Sequence, residues 1–169
     1  SRLVKYDISS SISVNGLIRY LNSTYTNCFN FFICFNKNHT FIGSTPEKLI
    51  SLNNRSFTID AIAGSSTNKK DLFSNKEIDE HNHVTKHIYN TMKDISINLN
   101  QPKKPKILEL KYINHLYTLI SGTLKNKTHI LNLLPNLYPT PALLGSSSNK
   151  AMKSIKHYEK TDRGWYGGA

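Results

Sequence analysis

The sequence predicts an α+β fold, and three features carry that expectation. Two apolar runs are each followed, after a short polar turn, by a second apolar run. A segment in the middle places its apolar residues every three or four positions. The 169 residues contain no internal repeat and no linker-like stretch between these parts. A chain of this length buries a core as one domain, so 1–169 reads as one folding unit or a piece of one.

Ile12–Leu21 spaces apolar residues at helical intervals until "NST" interrupts them. Cys28–Phe35 and Thr40–Ile42 are joined by "NKNH", and Leu49–Leu52 and Phe57–Ala63 by "NNRS". Turn-forming residues between β-branched and aromatic runs read as two successive hairpins. After Gly64 a polar loop, "SSTNKKDLFSN", leads into the longest predicted helix, Glu77 to about Leu99. There Val84, Ile88, Met92 and Ile95 mark one buried face. "NQPKKPK" ends it, since neither Pro102 nor Pro105 can continue a helix. Strands at Ile107–Tyr112 and Leu116–Ser121 follow, then a small helix near His129–Leu134 and a loop over "YPTPALLG". A last helix spans Asn149–Tyr158, with Ser147 and Ser148 available as its cap.

The formal charge is +11, which would ordinarily raise an anionic partner. Here Lys and Asn recur along the whole length, in "NKNH", "STNKK" and "TLKNKTH". That pattern reads as the codon drift of an AT-rich genome rather than one basic face, and no nucleic-acid partner is expected. No apolar run reaches the roughly 18 residues of a membrane-spanning helix, so no membrane association is expected. The start, "SRLVKYDISS", has neither a signal-peptide core nor an initiating Met, which reads as a soluble piece of a longer protein. Cys28 and Cys34 fall on the same face of one predicted strand, as buried free thiols rather than a disulfide.

Several residues are candidates for chemistry, and each has a plain structural reading beside it. In "FIGSTPEKL", Gly43 permits unusual dihedrals and Pro46 fixes its own, so Glu47 is aimed in one direction, or is simply a turn carboxylate. His83 and His87 stand four apart on one helix face, a zinc-compatible spacing that lacks a third ligand and otherwise means solvated histidines. Glu80 and His81 lie near the start of the same helix, where a carboxylate also suits the positive end of the dipole. "AGSS", Ala63 to Ser66, offers backbone N–H groups to an anion, or makes an ordinary turn.

In this order, however, "GSTPEKL", "AGS", "SNKEIDEH", "HLYTLISGTL", "YPTPALLG" and "E…DRGWYGG" resemble the catalytic domain of the chorismate-binding enzymes. This is the family of isochorismate, salicylate, anthranilate and aminodeoxychorismate synthases. The resemblance runs over essentially the whole chain. It implies an anthranilate synthase component I-like α+β domain with helices packed around antiparallel sheets, of which 1–169 would be the central part, truncated at both ends. It implies that Glu47 is the general acid, protonating the leaving 4-hydroxyl of chorismate while water attacks C2. Such a role at neutral pH requires a raised pKa. Glu80 matches a family glutamate that holds Mg²⁺, which in turn binds the C1 carboxylate of the substrate. Gly64 and Ser65 match a turn whose backbone approaches that carboxylate. His115, Ala142 and Tyr166 match positions lining the pocket, Thr140 belongs to the loop that shapes it, and Arg163 and Gly164 match a positioning pair. The family's water-activating lysine would precede Ser1 and Arg2, and a second metal glutamate and a substrate arginine would follow Ala169. The chain alone is therefore expected to be inactive.

Within the family, Ala63 stands where aminodeoxychorismate synthases carry a nucleophilic lysine, and it belongs to the same substrate-facing turn. "NHVTKHIYNTMKD" replaces the Leu-Val-Asp-Leu-Gly-Arg-Asn-Asp-like run of anthranilate and aminodeoxychorismate synthases. "EH" and "RGWYGG" look most like isochorismate synthase, an isomerase at the entry to menaquinone, phylloquinone or siderophore synthesis. Salicylate synthase shares its first step. Tyr138 departs from the usual His before "PTP", "SSS" replaces a proline after Gly145, and the loop after "AGS" is short. The expected substrate is chorismate, the expected setting a plastid stroma or bacterial cytoplasm, and the oligomeric state is open. The rival readings are an inactive remnant of the enzyme or a basic binding module.

Overall fold

The structure, a computed structural model, describes residues 5–145, 148–159 and 163–166. The candidate cap Ser147 and the pair Ser1-Arg2 lie outside the described residues. The chain divides into two compact units, one formed by Glu47–Ala151, the other by the residues up to Pro46 together with those from Met152 onward.

The Glu47–Ala151 unit is an antiparallel sheet covered by one long helix. β3 (Ser51–Asn53) and β4 (Ser56–Ser66) form the second predicted hairpin, turning at Asn54, whose φ of 56° suits a residue that tolerates the left-handed region. β4 pairs along its whole length with β7 (Asn114–Leu124), and β7 also pairs with β5 (Ser96–Asn100) and β6 (Lys106–Glu109). Helix α2 (Asn75–Met92) packs on β4 and β7. Alternation along β4 turns Phe57, Ile59, Ala61 and Ala63 to one face, where they meet Val84, Ile88 and Met92 of α2 and Ile120 and Leu124 of β7. Phe57 sits opposite Gly122 in the register, and a Cβ there would stand 2.8 Å from its ring, so glycine makes room for the largest side chain of this layer.

Two expectations fail at the end of α2. The helix stops at Met92, not near Leu99, and residues 96–100 form strand β5. Ser96 Oγ donates to the Met92 carbonyl at 2.6 Å, consuming one of the helix's terminal acceptors, and Lys125 N–H takes the Ile95 carbonyl. Ile95, placed by its spacing on the buried face, is consequently exposed. The segment "YPTPALLG" is also not all loop: α4 (Pro141–Leu144) opens with a proline at a first-turn position, and it packs against α2. Before it, the small helix expected near His129–Leu134 is a 3₁₀ turn at Ile130–Asn132 and α3 (Leu134–Leu137).

In the other unit, α1 (Val14–Thr24) is capped by Ser13, whose Oγ accepts the Gly16 N–H at 3.1 Å. β1 (Phe29–Asn36) and β2 (His39–Thr45) form the first hairpin, with Phe31 closing over Gly43. Cys34, expected to be buried, is exposed, and both cysteines are free. A two-stranded ribbon cannot cover its own faces, and Phe29, Phe32, Ile33 and Phe35 are exposed with it. Most of helix α5 (Ser148–Tyr158) belongs to this unit. Near it Arg163 makes a two-pronged pair with Glu159 at 2.7 and 2.6 Å, and Trp165 lies against Phe35 with ring centroids 5.4 Å apart.

Candidate active site

The site is assembled around a kink in β4. The β4–β7 register shifts between Ala63 and Ser65, and the extra residue is Gly64 at φ +77°. A Cβ at Gly64 would stand 2.7 Å from the Glu77 carbonyl oxygen, so the turn needs glycine both for its dihedral and for its contact with α2. Just past it, the Ser65 N–H donates to Glu77 Oε2 at 2.7 Å, and the Ser65 hydroxyl meets His115 Nδ1 at 2.7 Å. Burial lowers the pKa of His115.

On the α2 side, His81 is 3% exposed and spans both strands. Its Nδ1 lies 3.1 Å from the Ala63 carbonyl and its Nε2 2.8 Å from Thr118 Oγ1. A carbonyl only accepts, so Nδ1 carries the proton and the Thr118 hydroxyl donates to Nε2. Burial pushes the imidazole pKa down, which keeps it in that neutral form. One residue before it, Glu80 is about half exposed, with Lys76 Nζ 3.7 Å from its Oε2. Lys76 lies nearer Glu77, at 2.6 Å from Oε1. That ammonium and the Ser65 N–H hold the Glu77 carboxyl below its usual pKa.

Glu47 stands at the opposite edge of β4. Its carboxyl group accepts the Ile62 N–H, the position just before Ala63. Its pKa is pushed from 4.5 to about 7, first by burial and then by the negative charge of Asp60, against the pull of the Ile62 hydrogen bond. A carboxyl of that pKa retains its proton on about half the molecules at pH 7, the condition a general acid needs.

Of the sequence-predicted residues, the structure gathers Glu47, Ala63, Gly64, Ser65 and His115 on β4 and its immediate partners. Glu80 sits on the helix that His81 fastens to them. Thr140 is buried just ahead of α4, and Ala142 is exposed on α4. Tyr166 belongs to the other unit, where its side chain is exposed. His83 is exposed and the His87 Nε2 donates to the Leu137 carbonyl at 3.1 Å. Among the described residues no three ligating side chains gather into a metal site, so the histidine pair has no third ligand there. Sequence reasoning missed Glu77, Thr118, Asp60 and Tyr117. Asp60 had a signal: a charge inside the apolar strand run "FTIDAIA" is out of place unless it is bonded.

A match to the family described as "Chorismate binding enzyme" spans residues 1–169. The chain belongs to the chorismate-binding enzymes. Its relatives include the isochorismate synthase MenF of Bacillus subtilis, 33% identical over 138 residues, which are 75% of this chain and 29% of that protein. A second is the chloroplastic isochorismate synthase 2 of Arabidopsis thaliana, 30% identical over 139 residues, 76% of this chain and 25% of that protein. Among solved structures, DhbC of Bacillus anthracis superposes with a TM-score of 0.84 at 29% identity, over 92% of this chain and 46% of that one. The α+β architecture with antiparallel sheets is thus the family's own. The chain spans between a quarter and a half of the length of these relatives.

Proposed function

We propose that these residues are the central part of an isochorismate synthase, and that Glu47 is its general acid. The observation that carries the reading is the buried Glu47 carboxyl with a pKa near 7, set against the backbone that leads into the Ala63–Ser65 turn. In the reaction, water adds to C2 of chorismate, the ring double bonds shift, and the C4–O bond breaks. Glu47 gives its proton to the departing 4-hydroxyl, which leaves as water. The attacking water gives its own proton to a base, the role the family resemblance assigns to a lysine outside these residues. Atoms in and out balance, so the product is an isomer of the substrate.

The Ala63–Ser65 turn and His115 bound one side of the substrate space, with Thr140 and Ala142 shaping it from the segment that leads into and forms α4. Glu80 is an exposed carboxylate, a hard oxygen donor of the kind Mg²⁺ takes one or two of while keeping water and substrate oxygens. Bound there, Mg²⁺ would neutralise the C1 carboxylate of chorismate. The setting that fits is a bacterial cytoplasm or a plastid stroma, in quinone or siderophore synthesis.

The test is incubation of the complete protein containing this chain with chorismate and Mg²⁺, with products separated by chromatography. Isochorismate as the sole product supports the proposal. Salicylate with pyruvate, or anthranilate when ammonia is supplied, assigns a sister activity. Unconsumed chorismate overturns the proposal in favour of an inactive remnant.

A further inference from the structure

One buried carboxylate takes no part in the reaction as described. Asp60 is 8% exposed in the middle of β4, on the sheet face turned away from α2. Its Oδ2 accepts the Lys48 N–H at 3.1 Å and its Oδ1 accepts the Tyr117 hydroxyl at 3.1 Å. Its own N–H donates to the Lys48 carbonyl at 3.2 Å. Residue 48 is therefore held to residue 60 by two hydrogen bonds of opposite sense. The backbone of its neighbour Glu47 is fixed against β4, close enough for the Glu47 carboxyl to take the Ile62 N–H.

We propose that Asp60, locked by Tyr117, is the positioning residue that clamps Glu47 to β4 and keeps it in its proton-bearing form. This rests on Glu47 being the acid. A negative charge near a buried carboxyl disfavours its ionisation, and Asp60 acts on Glu47 in this sense. Asp60 takes a backbone N–H and a phenol. The phenol stays protonated, its pKa pushed to about 12 by burial and then by Asp60 itself. Other titratable groups on the surrounding elements are His81 on α2, His115 on β7 and Lys48 beside Glu47, and the charge that acts on Glu47 is that of Asp60.

The experiment is the pH profile of kcat/KM for chorismate in the complete protein, wild type against Asp60→Asn, Tyr117→Phe and Glu47→Gln. The amide of Asp60→Asn still offers an oxygen to the Lys48 N–H, so it removes charge while sparing the clamp. Its high-pH limb should move down by about one unit, giving about tenfold loss at pH 8 and little change at pH 5.5. Tyr117→Phe should move it the same way by less. A limb that stays in place, with activity unchanged or lowered equally at every pH, overturns the proposal. Should Asp60→Asn fail to fold, the Tyr117→Phe limb decides by the same criterion. Glu47→Gln separates the two claims: if it remains active, the acid assignment fails, and if it is inactive while the Asp60→Asn limb is unmoved, only the role of Asp60 fails.

Discussion

His81 on α2 donates through Nδ1 to the Ala63 carbonyl on β4, so the helix carrying Glu80 and the strand carrying the Ala63–Ser65 turn are joined by one buried imidazole. Thr118 on β7 completes the contact at Nε2. Removing the ring should leave a carbonyl and a hydroxyl buried without partners. His81→Phe is expected to destabilise the protein by about 1–3 kcal/mol in denaturant titration. His81→Asn, whose amide N–H can still reach the Ala63 carbonyl, should recover part of that loss. Equal stability of all three proteins would mean that the imidazole does not hold the layers together.

Two glycines with similar positive φ separate strain from crowding. Gly64 has φ +77° and Glu77 O 2.7 Å from a would-be Cβ, whereas Gly145 has φ +81° and no atom of the described residues within 4 Å. Gly145→Ala should therefore cost about 1–3 kcal/mol of backbone strain alone, since φ 81° with ψ 176° is a region that other residues avoid. Gly64→Ala should cost clearly more in thermal melts, because α2 must shift as well. Equal costs would contradict the described packing of Glu77 on the turn.

The Glu47 environment has a signature in stability. Below about pH 4.5 the group is protonated folded or unfolded, and it exacts no penalty. Between there and about pH 7 the unfolded chain releases the proton while the native state retains it, so stability falls as pH rises, then levels off. Glu47→Gln lacks this loss. Its stability relative to wild type should grow across that window, on the order of 3 kcal/mol in all at about 1.4 kcal/mol per pKa unit. A stability difference independent of pH would show that Glu47 titrates normally.

If Glu80 holds the ion as proposed, Glu80→Ala should weaken Mg²⁺ binding about tenfold or more in calorimetry with chorismate present, because such a site has few carboxylate ligands. Unchanged affinity would place the ion elsewhere. The partner carboxylate Glu77 is already committed to the Ser65 N–H and Lys76, so Glu77→Gln should instead show itself as lost stability.

What was legible in the sequence is what depends on local pattern. The alternation in "FTIDAIAG" and the spacing of Val84, Ile88 and Met92 place β4 and α2 where they are found. The end of α2 was not legible, because Ile95 and Leu99 continue the helical spacing from Met92 while Ile95, Ile97 and Leu99 also alternate as in a strand. The choice is made by pairing with β7 and by Asn98 entering the left-handed region, at φ 54°. Cys34 was read as buried because its run is apolar, yet burial depends on what covers the ribbon. Glu47 was legible as a candidate through its resemblance to a motif. The groups around it were not: beside its burial, the Asp60 charge that raises its pKa further and the Ile62 N–H that opposes the rise reach it only through the pairing of the chain with itself.

The most direct test of the account is the turnover of Glu47→Gln in the complete protein, measured as isochorismate formed from chorismate, with chorismate affinity measured in parallel. An amide keeps the size of the side chain and has no proton to give, so turnover should fall at least about a thousandfold while the dissociation constant changes little. A variant that forms isochorismate within about tenfold of the wild-type rate would contradict the assignment of Glu47 as the acid.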